Sequence, residues 1–133
     1  MNTDFRDFEE HAKERFEEFY VQGEHDSFSL FLDSGPICFF RANGDPEGNV
    51  FIRAKILDIS ELSRPGDFAK AALAGNFFWS GTRGATISVD DEAFYLTERR
   101  SLEEFADDES LMRCLDDFTG ILADWRERSV LYA

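Results

Sequence analysis

The sequence predicts an α+β fold of order α-β-β-β-α-β-β-α, a five-stranded antiparallel sheet packed by helices. Three observations predict it. Stretches near the start and the end carry apolar residues at helical spacing, and the segments between them alternate with a period of two and break at turn residues. A short alanine-rich stretch lies between the two groups of alternating segments.

Phe5, Phe8, Ala12, Phe16, Phe19 and Tyr20 form the first stripe, with Asp7, Glu9, Glu10, Lys13, Glu14, Glu17 and Glu18 around it. Residues 5–20 therefore read as a helix, capped by Thr3 or Asp4 and ended by Gly23. Phe28, Leu30 and Leu32 then alternate with Ser29 and Phe31, and Asp33-Ser34-Gly35-Pro36 turns the chain. Ile37-Cys38-Phe39-Phe40-Arg41 is a second strand, apolar on both faces, so alternation leaves its register open. Asn43-Gly44-Asp45-Pro46-Glu47-Gly48 is a further turn, and residues 50–57 set Val50, Ile52, Ala54 and Ile56 against Phe51, Arg53, Lys55 and Leu57. These three strands make an antiparallel meander.

Ser63-Arg64-Pro65-Gly66-Asp67 reads as a helix entry, followed by Phe68, Ala69, Ala71, Ala72 and Leu73 and closed by Gly75-Asn76. After Phe77-Phe78-Trp79, the segment Gly81-Thr82-Arg83-Gly84 reads as a tight turn rather than a phosphate cradle, because it precedes a strand and lacks a lysine. Ala85-Thr86-Ile87-Ser88-Val89 and Ala93-Phe94-Tyr95-Leu96-Thr97 form a hairpin around Asp90-Asp91-Glu92. Ser101-Leu102-Glu103-Glu104 fits a capping box, and Leu111, Leu115, Phe118, Leu122 and Trp125 recur at spacings of four and three in the final helix. The strand face of Phe28, Leu30, Leu32, Ile52, Ile56, Phe94 and Leu96 should meet the first and last helices.

A chain of 133 residues, 43% hydrophobic, supports one core, and residues 1–133 read as a single domain. Fifteen Phe, two Trp and three Tyr exceed what a monomer of this size needs to bury, so part of that surface is expected to face a partner. A net charge of −14 disfavours nucleic acid and anionic membrane as partners and favours solubility. Cys38 and Cys114 lie far apart, outside any metal-ligand spacing, and read as free thiols of a cytosolic protein. No apolar run approaches the roughly 20 residues that span a bilayer, and Met1-Asn2-Thr3-Asp4 opens an acidic amphipathic segment rather than a leader.

Catalytic signals are missing. The chain has no phosphate loop, dinucleotide fingerprint, zinc-protease helix or nucleophile elbow. His11 and His25 lie in or just after a charged helix and read as surface residues, while Asp90-Asp91-Glu92 and Asp107-Asp108-Glu109 read as a hairpin turn and a helix start rather than metal sites. Binding is therefore expected in place of catalysis, with no cofactor and no metal.

The run from Leu73 to Asp90, with its Ala74-Gly75-Asn76 end to a short helix, aromatic Phe77-Phe78-Trp79, Gly-containing turn and strand finishing in Asp90, resembles the signature of the class I type III secretion chaperones, the Tir-chaperone family. The element order and chain length resemble that family too. The resemblance implies a homodimer in the bacterial cytoplasm, formed through the short second helix and the strand after it. An effector's N-terminal segment would wrap around it in extended form, without ATP. Phe68, Ala72, Leu73, Phe78 and Trp79 form the apolar group that either fills the chain's own core or meets the two-fold partner. Phe31, Phe40, Phe51, Leu57 and Tyr95 would point away from the helices and receive the effector, and an exposed edge strand, expected to be the first, could accept a client strand. The alternative is a regulatory protein of the same fold that sequesters a transcriptional regulator or another secretion component.

Overall fold

A computed structural model describes residues 5–41, 48–79, 81–105 and 107–133, apart from the Phe78 side chain. The elements run α1 (Phe5–Arg15), β1 (Tyr20–Gln22), β2 (Ser27–Leu32), β3 (Gly35–Phe40), β4 (Asn49–Asp58), α2 (Pro65–Asn76), β5 (Thr86–Val89), β6 (Ala93–Ser101) and α3 (Asp108–Ser129). The α+β sheet packed by helices is as expected, with six strands in the order β1-β2-β3-β4-β6-β5 in place of five. The caps expected at Thr3 or Asp4 and the turn expected over residues 43–47 lie outside the described residues.

Contacts gather into two units, one of residues up to Arg53 with Arg99–Asp116, the other of Ala54–Glu98 with Asp117–Ala133. The first is organised by Phe8. Phe5, Phe8 and Ala12 are the buried stripe of α1, and the Phe8 ring lies 5.7 Å from both Phe28 and Phe39 and stacks on Phe105 at 4.9 Å. Phe28 and Phe39 are direct cross-strand partners whose rings stack at 5.0 Å. Each such ring pair adds about 0.5–1.5 kcal/mol to the burial of its area. Residues 37–40 thereby acquire a register: Ile37 and Phe39 face the core, Cys38 and Phe40 the other side.

The extra strand comes from residues that sequence periodicity assigns to the first helix. That helix stops at Arg15, Phe16 leaves helical geometry, a 3-10 turn spans Glu17–Phe19, and Tyr20–Gln22 pairs with Phe28–Leu30. Tyr20 and Val21 suit a pleated, half-buried edge, and Tyr20 continues the aromatic cluster at 5.6 Å from Phe28. Its hydroxyl donates to the Glu9 carboxylate of α1. Burial and that acceptor together push the phenol up to about 12. Ser101 and Glu104 do make the capping contacts, but around a 3-10 turn over Leu102–Phe105. The start of α3 is capped instead by Asp107, whose carboxylate accepts the Ser110 N–H at 2.8 Å. That backbone hydrogen bond holds the Asp107 carboxyl below the usual carboxylate range.

The second unit is organised by Phe68 and Trp125. The Phe68 ring meets Phe94 edge-on at 4.8 Å, Trp125 at 6.1 Å and Tyr132 at 5.6 Å. Pro65 at the first turn pre-sets α2, which continues through Gly75 to Asn76. The helix closes at the Gly75-Asn76 pair, as the sequence suggests, but Gly75 has a packing role as well. It is buried because a Cβ there would stand 2.5 Å from the Trp125 ring. Gly81 closes the same joint: its N–H donates to the Gly75 carbonyl at 2.9 Å, and its own carbonyl accepts the Trp125 indole N–H at 2.9 Å.

A Cβ on Gly81 would lie 2.9 Å from the Gly75 backbone, whereas Gly66, in the first turn of α2, has open space around it. Gly81→Ala is therefore expected to destabilise by about 1–3 kcal/mol. Gly66→Ala should be neutral or stabilise by up to about 1 kcal/mol. Urea midpoints compare them, and equal midpoints would dismiss the joint as a structural constraint.

Candidate partner-binding surfaces

The end of α2 presents the first surface. Phe68, Ala72 and Gly75 form the buried stripe of this helix, so Phe68 and Ala72 take the core alternative left open by the sequence. Leu73 lies on the other side, and Phe77, four residues on, shares its exposed face. Leu73, Phe77 and Trp79 are 70%, 69% and 54% exposed, far beyond what a satisfied core residue shows. Trp79 holds a positive φ of 57°, a region that bulky residues rarely adopt. The loop sustains it, with the Trp79 carbonyl accepting the Thr82 and Arg83 N–H groups at 3.4 and 3.0 Å. Phe77 is the surface residue that the sequence reading passed over. Its signal was the four-residue spacing from Leu73.

Asn76 gives a physical reason for the Gly-Asn pair. Its amide nitrogen donates to the Ile87 carbonyl and its amide oxygen accepts the Ile87 N–H, both at 2.9 Å. The side chain thus does for β5, which ends the sheet, what a neighbouring strand would do.

The second surface is the sheet face turned away from the core. In the first unit it carries Phe31, which is exposed, and Phe40 and Phe51, half-buried partners across β3 and β4 whose rings stack at 5.4 Å. The Arg53 guanidinium lies 5.4 Å above the Phe40 ring. In the second unit, Leu57 on β4 and Tyr95 on β6 are half-buried on strand positions that alternate with the buried Ile56, Phe94 and Leu96. All five expected client residues therefore occupy outer-face positions. The edge strand is not the first one read from sequence, because β2 pairs with β1 on one side and β3 on the other. Beside β2, the short β1 and the turn before it leave Phe19 and Val21 exposed. At the end of α3, Val130 and Leu131 are exposed beside a cleft of about 600 Å³ shared with Asp124, Glu127 and Arg128.

The acidic groups act locally. Asp90 accepts the Glu92 and Ala93 N–H groups at 2.8 Å each, which lowers its carboxyl and shapes the hairpin turn. His11, which sequence left without a partner, meets Asp108 at 2.6 Å. Among the described residues no group of three His, Cys, Asp or Glu is placed to hold a metal ion, and no helix is long and apolar enough to cross a membrane.

Asn76→Ala should cost about 1–3 kcal/mol by leaving both Ile87 backbone groups without this partner. Amide exchange at Ile87 should accelerate while that at Phe94 and Leu96 is unchanged. Retained protection at Ile87 would mean that the Asn76 bridge does not hold β5.

The sequence model of the Tir chaperone protein (CesT) family matches residues 20–126. Among curated proteins, none matches this chain. Solved structures share the fold, two of them as follows. A chain of the crystal structure of the ExsC-ExsE complex is similar with a TM-score of 0.76 at 12% identity, covering 97% of each chain. A chain of the HopA1-SchA chaperone-effector complex is similar with a TM-score of 0.62 at 13% identity, covering 92% of this chain and 94% of that one.

Proposed function

The chain belongs to the Tir chaperone protein (CesT) family, and from that premise we propose that it is a type III secretion chaperone acting by binding, not catalysis. It holds the N-terminal segment of a secreted effector in extended form and keeps it export-competent without ATP or any other cofactor. The observation that carries this reading is the outer sheet face, where Phe31 is exposed and Phe40, Phe51, Leu57 and Tyr95 are only half-buried on a chain of net charge −14. An antiparallel sheet covers one face with helices and leaves the other to water. Phenylalanines on the water side are costly unless a partner covers them. An extended client matches the strand pleat, and Phe31, Phe40 and Phe51 offer it one contact zone, Leu57 and Tyr95 another.

The chaperone is a homodimer whose two-fold contact uses Leu73, Phe77 and Trp79 together with Phe78, while Phe68 and Ala72 support that surface from beneath. The strained Trp79 is consistent with this role, because backbone strain persists where a side chain must be displayed. It works in the bacterial cytoplasm, where its client is made.

Co-purification from the native host, with mass spectrometry of the bound protein and light scattering of the complex, tests the reading. A 2:1 complex with the N-terminal region of a secreted protein is expected. A transcriptional regulator in its place would point to sequestration, and a lone monomer without a protein partner would overturn both readings.

Leu73→Asp combined with Trp79→Asp should convert the dimer to monomer in sedimentation with the helical circular-dichroism signal retained. A double variant that still sediments as a dimer would place the two-fold contact elsewhere.

A further inference from the structure

A cleft of about 410 Å³ opens where the β1–β2 turn meets the outer side of β3 and β4. Its wall inverts the charge of the molecule. The chain carries 28 acidic residues against 14 Lys and Arg, yet among the described residues this cleft is lined by Arg41 and Arg53, with His25 beside them, against one carboxylate, Glu24. The outer-facing positions of β2, β3 and β4 within this unit are Ser27, Ser29, Phe31, Pro36, Cys38, Phe40, Asn49, Phe51 and Arg53, and none is a carboxylate. A client crossing that face meets aromatic rings, small or uncharged side chains and the Arg53 guanidinium, and no carboxylate among the described residues.

The cationic groups are also oriented. The Arg53 guanidinium rests over the Phe40 ring, which itself stacks on Phe51. The Arg41 N–H donates to the Asp26 carbonyl at 3.1 Å, tying the end of β3 to the turn. Asp26 is also the nearby acid for Arg41, but their closest approach is 3.8 Å with both side chains largely exposed, which orients the guanidinium without neutralising it. His25 and Asp26 both hold left-handed backbone, at φ of 43° and 44°, in the turn from which His25 lines the cleft. Two consecutive non-glycine residues in that region are uncommon.

We infer that this cleft is a specificity pocket for a carboxylate side chain of the client's extended segment. This deepens the chaperone reading and rests on it. The guanidiniums of Arg53 and Arg41 donate charge-assisted hydrogen bonds to the carboxylate. An apolar client residue two positions away, on the same side of an extended chain, lies against Phe40 and Phe51. The recognition element is then an Asp or Glu separated by one residue from a large apolar residue. The net charge of −14 repels acidic segments overall, so an acidic client side chain received by these arginines becomes a register mark.

Selection of random 12-residue peptides displayed on phage against the full-length chain tests this. Enrichment of an Asp or Glu two positions from an apolar residue is expected. In a synthetic peptide of the selected sequence, changing that acid to its amide should weaken binding about tenfold. Arg53→Gln should weaken the acidic peptide by a similar factor and shrink the difference between acid and amide, Arg53→Lys should retain much of it, and Arg41→Gln should act in the same direction as Arg53→Gln. An apolar consensus without the acid, or an acid preference that survives both Arg41→Gln and Arg53→Gln, overturns the pocket and leaves the extended-client reading standing. No enriched peptide at all overturns both.

Discussion

The partner-facing end of α2 depends on how closely Trp125 approaches two glycines. The indole ring sits where side chains at Gly75 and Gly81 would be, and its N–H holds the Gly81 carbonyl. Gly81 in turn holds Gly75. Together with the Phe77 N–H, which donates to the Ala74 carbonyl, this three-residue joint brings the chain from helix to loop, and the loop beyond it keeps Trp79 in a backbone region that a free chain would leave at once. The Arg128 guanidinium covers the indole at 4.5 Å, so the ring is held on its face as well as at its edge. Exposed apolar groups on α2 are thus displayed by a rigid base.

Much of this fold was legible because its apolar periods are clean. The final helix and the β5–β6 hairpin follow from spacing alone, and the acids at Asp90 and Asp107 carry out the turn and cap chemistry that their positions imply. Legibility failed where one residue suits two periods. Phe16, Phe19 and Tyr20 continue a helical stripe on paper, yet Tyr20 instead pairs with β2, lies tilted against Phe28 and reaches Glu9. Residues 37–40 are apolar on both faces, and only the Phe28–Phe39 pair decides which face turns inward.

The candidate surfaces were legible in unequal measure. Outer-face positions follow from strand parity, which a correct assignment of Ile52 and Phe94 to the core carries across each strand. On a helix made of small residues, parity has no counterpart. Phe68 and Leu73 look equally suited to the core or to a partner until the close approach of Trp125 to Gly75 selects the inward side. Gly75 marks a close contact as well as a helix end, and that second role belongs to tertiary structure. The arginine cleft was invisible for a related reason: Arg41 and Arg53 are apart in sequence and converge only through the register of β3 and β4.

Asn76 also bears on how concentrated such a protein can become. Sheets grow by adding strands to rows of open backbone groups, and a phenylalanine-rich sheet is well suited to fibril growth once two such rows meet. Here β1 is only three residues long, and the middle of β5 is occupied by an amide that imitates a strand while ending the pattern after one residue. The short β1 and the Asn76 bridge together let the molecule expose aromatic surface to a foreign polypeptide while shortening the open rows on which copies of itself could polymerise.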